Sequence, residues 1–113
     1  MKKLSELLKG IQIKNFYGRL DREVNSLVID SREAGEGSVF FAIKGRRFNG
    51  HDFILDAYKK GCRVFIVERE ISGLKDSTLI ITDNSRMAFS IASSNFYNNP
   101  SGKLNVYGIT GST

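Results

Sequence analysis

The 113-residue chain carries 17 Lys and Arg against 12 Asp and Glu, a net charge of +5 at pH 7, with 41% hydrophobic and 26% charged residues. That balance is typical of an ordinary globular domain with one core, and it excludes a disordered or fibrous chain. The single cysteine, Cys62, rules out an internal disulfide, and the dispersed positive charge fits an anionic ligand without separating nucleotide from nucleic acid or lipid headgroup.

The opening "MKKLSELLKG" has no long apolar stretch and no small-residue cleavage site, so no secretory signal is expected and a cytoplasmic location is. No segment approaches the ~20 apolar residues that cross a bilayer. Leu4, Leu7, Leu8 and Ile11 fall at helical spacing with Gly10 as a stop, which predicts a short amphipathic helix. "NSLVIDSRE" reads as a strand ending at Asp30-Ser31-Arg32, "AGEGS" as a turn and "VFFAI" as a buried strand. "KGRRFNG" is a loop bracketed by Gly45 and Gly50. Beyond it Phe53, Ile54, Ala57 and Tyr58 share a helical face, Lys59 and Lys60 suit the last turn, and Gly61 suits a left-handed cap.

"CRVFIVE" and "STLIITD" are two further core strands joined by the polar linker "REISGLKD". Asn84 is the expected N-cap of a second helix whose buried stripe is Met87, Ala88, Ile91, Ala92 and Phe96. "NNPSGK", with the lone proline Pro100, ends that helix and is the best hinge; the strand "LNVYGI" follows. Strands alternating with helices predict an α/β fold, a small mixed or partly parallel sheet flanked by helices. Residues 1–103 then form one domain, and 104–113 form the first strand and loop of a second.

Two stretches can carry chemistry. In "GITGST" a strand runs into the glycines of a turn whose backbone N–H groups suit a phosphate, but the lysine that such a loop needs is not among these residues. Gly111, Ser112 and Thr113 fit equally a plain Gly-Ser turn. The other stretch is "DSRE" together with "FFAIKGRRFNGHDFI", in which Asp30, Ser31 and Arg32 lie just past a strand end, where open α/β sheets place ligands. The Ser31 hydroxyl can bond a phosphate or a base, Arg32, Lys44, Arg46 and Arg47 supply charge, and Phe48 can stack on a planar ring. The same residues also fit solvated loops held by local turn hydrogen bonds.

His51, the one histidine, has no metal-ligand spacing around it, and it or Asn49 is expected to start a helix. Cys62 reads as an inert buried thiol. No Ser-His-Asp or paired-carboxylate pattern stands out, so no residue is assigned a catalytic or metal-binding role.

Taken in series, "VIDSREAGEGSVFFAIKGRRFNGHDFILDAYKKGCRVFIVE" and "NSRMAFSIASSNFYNNPSGKLNVYGITGST" resemble the amino-terminal part of the Mur ligases, over most of the chain. The resemblance implies a three-domain peptidoglycan-synthesis enzyme whose first domain holds the UDP end of the precursor. The second domain binds ATP with Mg2+ and the third brings the amino acid. Such a ligase activates a carboxylate as an acyl phosphate, which an amine attacks to form an amide. The precursor is UDP-N-acetylmuramoyl-L-alanyl-D-glutamate if the chain belongs to the branch that adds a diamino acid. The branch that adds D-Ala-D-Ala is the alternative.

By position, Ser31 matches a contact to the uridine diphosphate. Arg46, Arg47 and Phe48 match the loop that frames the uracil, and Gly111, Ser112 and Thr113 match the first half of the ATP loop. Asn49 stands where the family usually has aspartate, and Ser112-Thr113 where Thr-Asn is commoner in the diamino-acid branch. The chain alone is expected to be a monomer that binds without catalysing and needs no cofactor of its own. A nucleic-acid module, prompted by the basic "KGRRF", is the rival reading; it lacks a continuous basic face, and no nucleic-acid or membrane partner is expected.

Overall fold

The runs "VFF", "VFIV" and "TLIIT" are apolar or β-branched at every position, the pattern of strands covered on both faces. The computed structural model describes residues 2–45 and 49–97 and bears this pattern out. In chain order the elements are β1 (Lys2–Lys3), α1 (Leu4–Leu7), β2 (Ile13–Tyr17), β3 (Glu23–Val24), β4 (Ser26–Val28), β5 (Ser38–Phe41), α2 (Ile54–Lys59), β6 (Val64–Val67), β7 (Thr78–Thr82) and α3 (Ser85–Tyr97). Short 3-10 turns at Ser31–Glu33 and Gly50–Phe53 follow β4 and precede α2. β5, β6 and β7 are buried along their whole length.

The main sheet has the order β2-β7-β6-β5-β4. Strands β4 to β7 are mutually parallel neighbours in chain order, and β2 runs antiparallel on the edge beside β7. β1 and β3 form a separate antiparallel pair. The sheet is therefore mixed and mostly parallel, with helices on both faces. Because side chains alternate along a strand, Val39, Phe41, Val64, Ile66 and Ile80 face α1 and α3. Phe40, Ala42, Phe65, Val67, Leu79 and Ile81 face the other way, against Ile54 and Ala57 of α2. Phe41 meets Phe89 edge-on at 5.0 Å, and Phe40 meets Phe65 edge-on at 6.5 Å. The Asn95 side chain donates to the Leu7 and Lys9 carbonyls, so α3 satisfies the open end of α1.

Most sequence expectations hold, including the left-handed Gly61, and Gly10, expected as a helix stop, is left-handed too. Cys62 is fully buried with its sulfur 3.3 Å from the Ser38 and Val64 carbonyls, and burial pushes the thiol up. Two expectations need correcting. Met87 is 59% exposed, because the buried line runs through Ala88 and Ala92 with Phe89 beside it, and Met87 sits one step round the helix on the outer flank. β2 was not foreseen, since four of its five residues are exposed and give no apolar alternation. The "NNPSGK" hinge and the "LNVYGI" strand lie outside the described residues.

Phe41 is enclosed by the sheet and by α3, so Phe41→Ala should cost about 3–5 kcal/mol of stability. Urea unfolding of the two proteins measures this; a loss well under 1 kcal/mol would mean that the α3 face is not packed as described.

Candidate functional site

β4 ends where Asp30 takes an extended conformation and turns the chain. Its carboxylate accepts from the Arg32 backbone N–H at 2.9 Å, and the Arg32 guanidinium folds back onto it at 2.7 and 3.1 Å. Those bonds, first from the Arg32 side chain and then from its backbone, hold the Asp30 carboxyl down at about 2. Asp30 and Arg32 therefore form a closed ion pair. Ser31 between them is 8% exposed.

One strand along, β5 runs out through Ala42 and Ile43 into the loop at 44–49. An antiparallel bridge between Lys44 and Asn49 closes that loop, and Gly50 N–H donates to the Ile43 carbonyl at 2.9 Å. Gly50 packs flush on the strand exit: a Cβ there would lie 2.6 Å from the Ile43 nitrogen, so any other residue would push the loop off the sheet. The Asn49 side chain caps the next turn, accepting from the His51 backbone N–H at 3.0 Å and meeting His51 Nδ1 at 2.6 Å. His51 Nε2 accepts from the Glu68 N–H at 2.9 Å. A backbone N–H can only donate, so Nδ1 carries the proton and the ring is neutral. Glu68 in turn accepts from the Ser85 N–H at 2.8 Å, while Asn84 caps α3 through Met87 N–H at 3.0 Å. A chain of hydrogen bonds thus links the loop, the exit of β6 and the start of α3.

These exits of β4, β5 and β7 surround a cleft of about 710 Å³, lined by Ile29 to Glu33, Ile43, Gly45, Phe53, Asp56 and Arg86. Its size suits a small-molecule site. The structure brings Ser31, Arg32 and Gly45, the root of the arginine loop, to one rim. Lys44 stands beside it in the bridge. Arg46, Arg47 and Phe48 lie outside the described residues, as do Gly111, Ser112 and Thr113. Asn49 and His51 serve the loop and the turn that follows it. Sequence reasoning missed Arg86, and also Ile29, Glu33, Ile43, Phe53 and Asp56 as lining. For Arg86 a signal was available: "DNSR" leaves a strand just as "DSR" does.

A sequence profile described as "Mur ligase family, catalytic domain" matches residues 23–97. Over 96% of its length the chain is 39% identical to a UDP-N-acetylmuramoyl-L-alanyl-D-glutamate–2,6-diaminopimelate ligase of Clostridioides difficile, covering 22% of that protein. It is 36% identical, over 95% of its length, to a UDP-N-acetylmuramoyl-L-alanyl-D-glutamate–L-lysine ligase of Staphylococcus epidermidis, again covering 22%. Among solved structures, MurF from Acinetobacter baumannii matches 82% of the chain with a TM-score of 0.72 and 27% identity, over 20% of its own length. The chain thus spans about a fifth of the length of the relatives it matches.

Burial, with the Arg69 charge nearby, lowers the His51 pKa below its ordinary 6.5. Below that pH the unfolded chain takes up the proton first, so stability present above pH 6.5 should drain away as the pH falls toward the folded-state value. Chemical unfolding from about pH 7.5 to about pH 5.5 should show this slope, and His51→Gln should flatten it. An identical pH dependence in the two proteins would show that His51 is not held neutral.

Proposed function

The chain belongs to the Mur ligase family, and from that premise we propose that residues 1–103 hold the UDP end of a peptidoglycan precursor. In this reading residues 104–113 open the ATP-binding unit, with Gly111, Ser112 and Thr113 at the start of its loop. The whole protein would be a cytoplasmic, ATP- and Mg2+-dependent ligase that adds a diamino acid to UDP-N-acetylmuramoyl-L-alanyl-D-glutamate. It would form an amide and release ADP and phosphate. Relatives that use 2,6-diaminopimelate and L-lysine match at similar identity, so the proposal stops at a diamino acid.

The observation that carries this reading is the cleft at the strand exits, where the Ser31 turn and the root of the 44–49 loop share one rim. Ser31 would bond the uridine diphosphate, and Arg46, Arg47 and Phe48 would frame the base. The chain's own work is binding and orienting, and it would act as a monomer without catalysing by itself. Among the described residues no group of three or more His, Cys, Asp or Glu could hold a metal ion. No helix among them is long and apolar enough to cross a membrane. The likeness to MurF favours a second reading, the dipeptide-adding branch, with the same cleft taking the longer precursor.

UDP titrated into the 15N-labelled chain should shift the amides of Ser31, Gly45 and residues 46–48, while ATP shifts little. Ser31→Ala should weaken UDP binding about fivefold to tenfold, the worth of one hydrogen bond, with an unchanged melting curve. Binding of single-stranded RNA with no response to UDP would overturn the ligase reading in favour of a nucleic-acid module.

A further inference from the structure

Two strand exits on this rim are built alike. After β4 come Asp30, Ser31 and Arg32; after β7 come Asn84, Ser85 and Arg86. In each the first residue caps the turn that follows, the serine is buried, and the arginine is exposed and lines the cleft. They differ in charge. The carboxylate of Asp30 binds Arg32 and cancels it, whereas Asn84 offers Arg86 only a neutral amide. Among the described residues no carboxylate lies within 4.0 Å of the Arg86 guanidinium. Its Nη2 lies 3.5 Å from the Lys44 carbonyl, at the limit of a hydrogen bond.

Among the described residues, the rest of the cleft's charge is one-sided. Glu33 and Asp56 also line it, and the 3-10 turn bearing Glu33 packs on α2, which bears Asp56, so the two carboxylates share a wall. Arg86 comes from α3, which packs on the other face of the sheet. A phosphate would be repelled at the Glu33–Asp56 wall, which suits hydroxyl and N–H donors, and attracted at the α3 side. The first N–H groups of α3 are not the source of that attraction, since Asn84 and Glu68 already accept from Met87 and Ser85.

We propose that Arg86 is the cationic phosphate contact of the cleft, added to the Ser31 hydroxyl, and sets the ligand's direction. The phosphate end lies against the start of α3, and the nucleoside hydroxyls lie toward Glu33 and Asp56. This rests on the reading of the cleft as a nucleotide site and adds to it a residue and an orientation. Isolated guanidinium–phosphate bonds are strong and geometrically specific, and a lysine reproduces the charge but not the fork.

NMR titrations of the 113-residue chain with UDP and with uridine test it. Arg86→Gln should weaken UDP about tenfold and leave uridine unchanged, and Arg86→Lys should recover part of the loss. Asn84→Asp keeps the arginine but offers it a carboxylate like that of Asp30, and should weaken UDP selectively too. Melting curves confirm that each variant is folded. If the wild type binds UDP and Arg86→Gln binds it equally well, or loses uridine to the same extent, the assignment of Arg86 is wrong while the cleft reading stands. If the wild type binds neither ligand, the cleft reading fails and this inference with it.

Discussion

Parallel pairing of strands buried on both faces is the constraint from which the rest follows. β5, β6 and β7 offer no polar face, so helices must cover both sides, and β4 to β7 run the same way. The C-terminal ends of β4 to β7 then arrive at one rim. Whatever polar residues follow those strands are gathered there however far apart they stand in the sequence. Arg32 and Arg86 are 54 positions apart and line the same cleft for that reason alone.

The rim is stiffened by short polar turns rather than by more apolar packing. Asp30, Asn49 and Asn84 each cap the segment that follows them, which fixes the backbone where it leaves the sheet. The neutral His51 ring then ties the loop to β6, and Glu68 ties β6 to α3. Side chains on such turns can be polar and exposed without leaving the backbone free to wander. That division of labour, an apolar sheet for stability and capped turns for chemistry, allows Ser31 to be held almost out of solvent at a strand end.

Much of this was legible in the sequence because the signals were local. Continuous apolar runs marked β5 to β7, Asn84 marked the start of α3, and Asp-Ser-Arg marked a polar turn past a strand. What was not legible depended on neighbours. β2 is an exposed edge strand whose pairing with β7 is set by the sheet and not by its own pattern. Met87 was assigned to the core from spacing, but the small Ala88 and Ala92 let the sheet approach on a slightly rotated face. The polar exit before Arg86 was visible in the sequence, but only the sheet order brings the exit of β7 to the same rim as that of β4. The relatives' names add a substrate class that no residue here spells out.

The central claim is that the cleft between the Ser31 turn and α3 seats the nucleotide. Intermolecular NOEs from UDP to isoleucine methyl groups test it most directly, because isoleucines line both this cleft and the smaller groove beside Gly10. The account predicts contacts from the uracil or ribose protons to Ile29 and Ile43. Contacts confined to Ile11 and Ile91 would place the ligand in that other groove and contradict it.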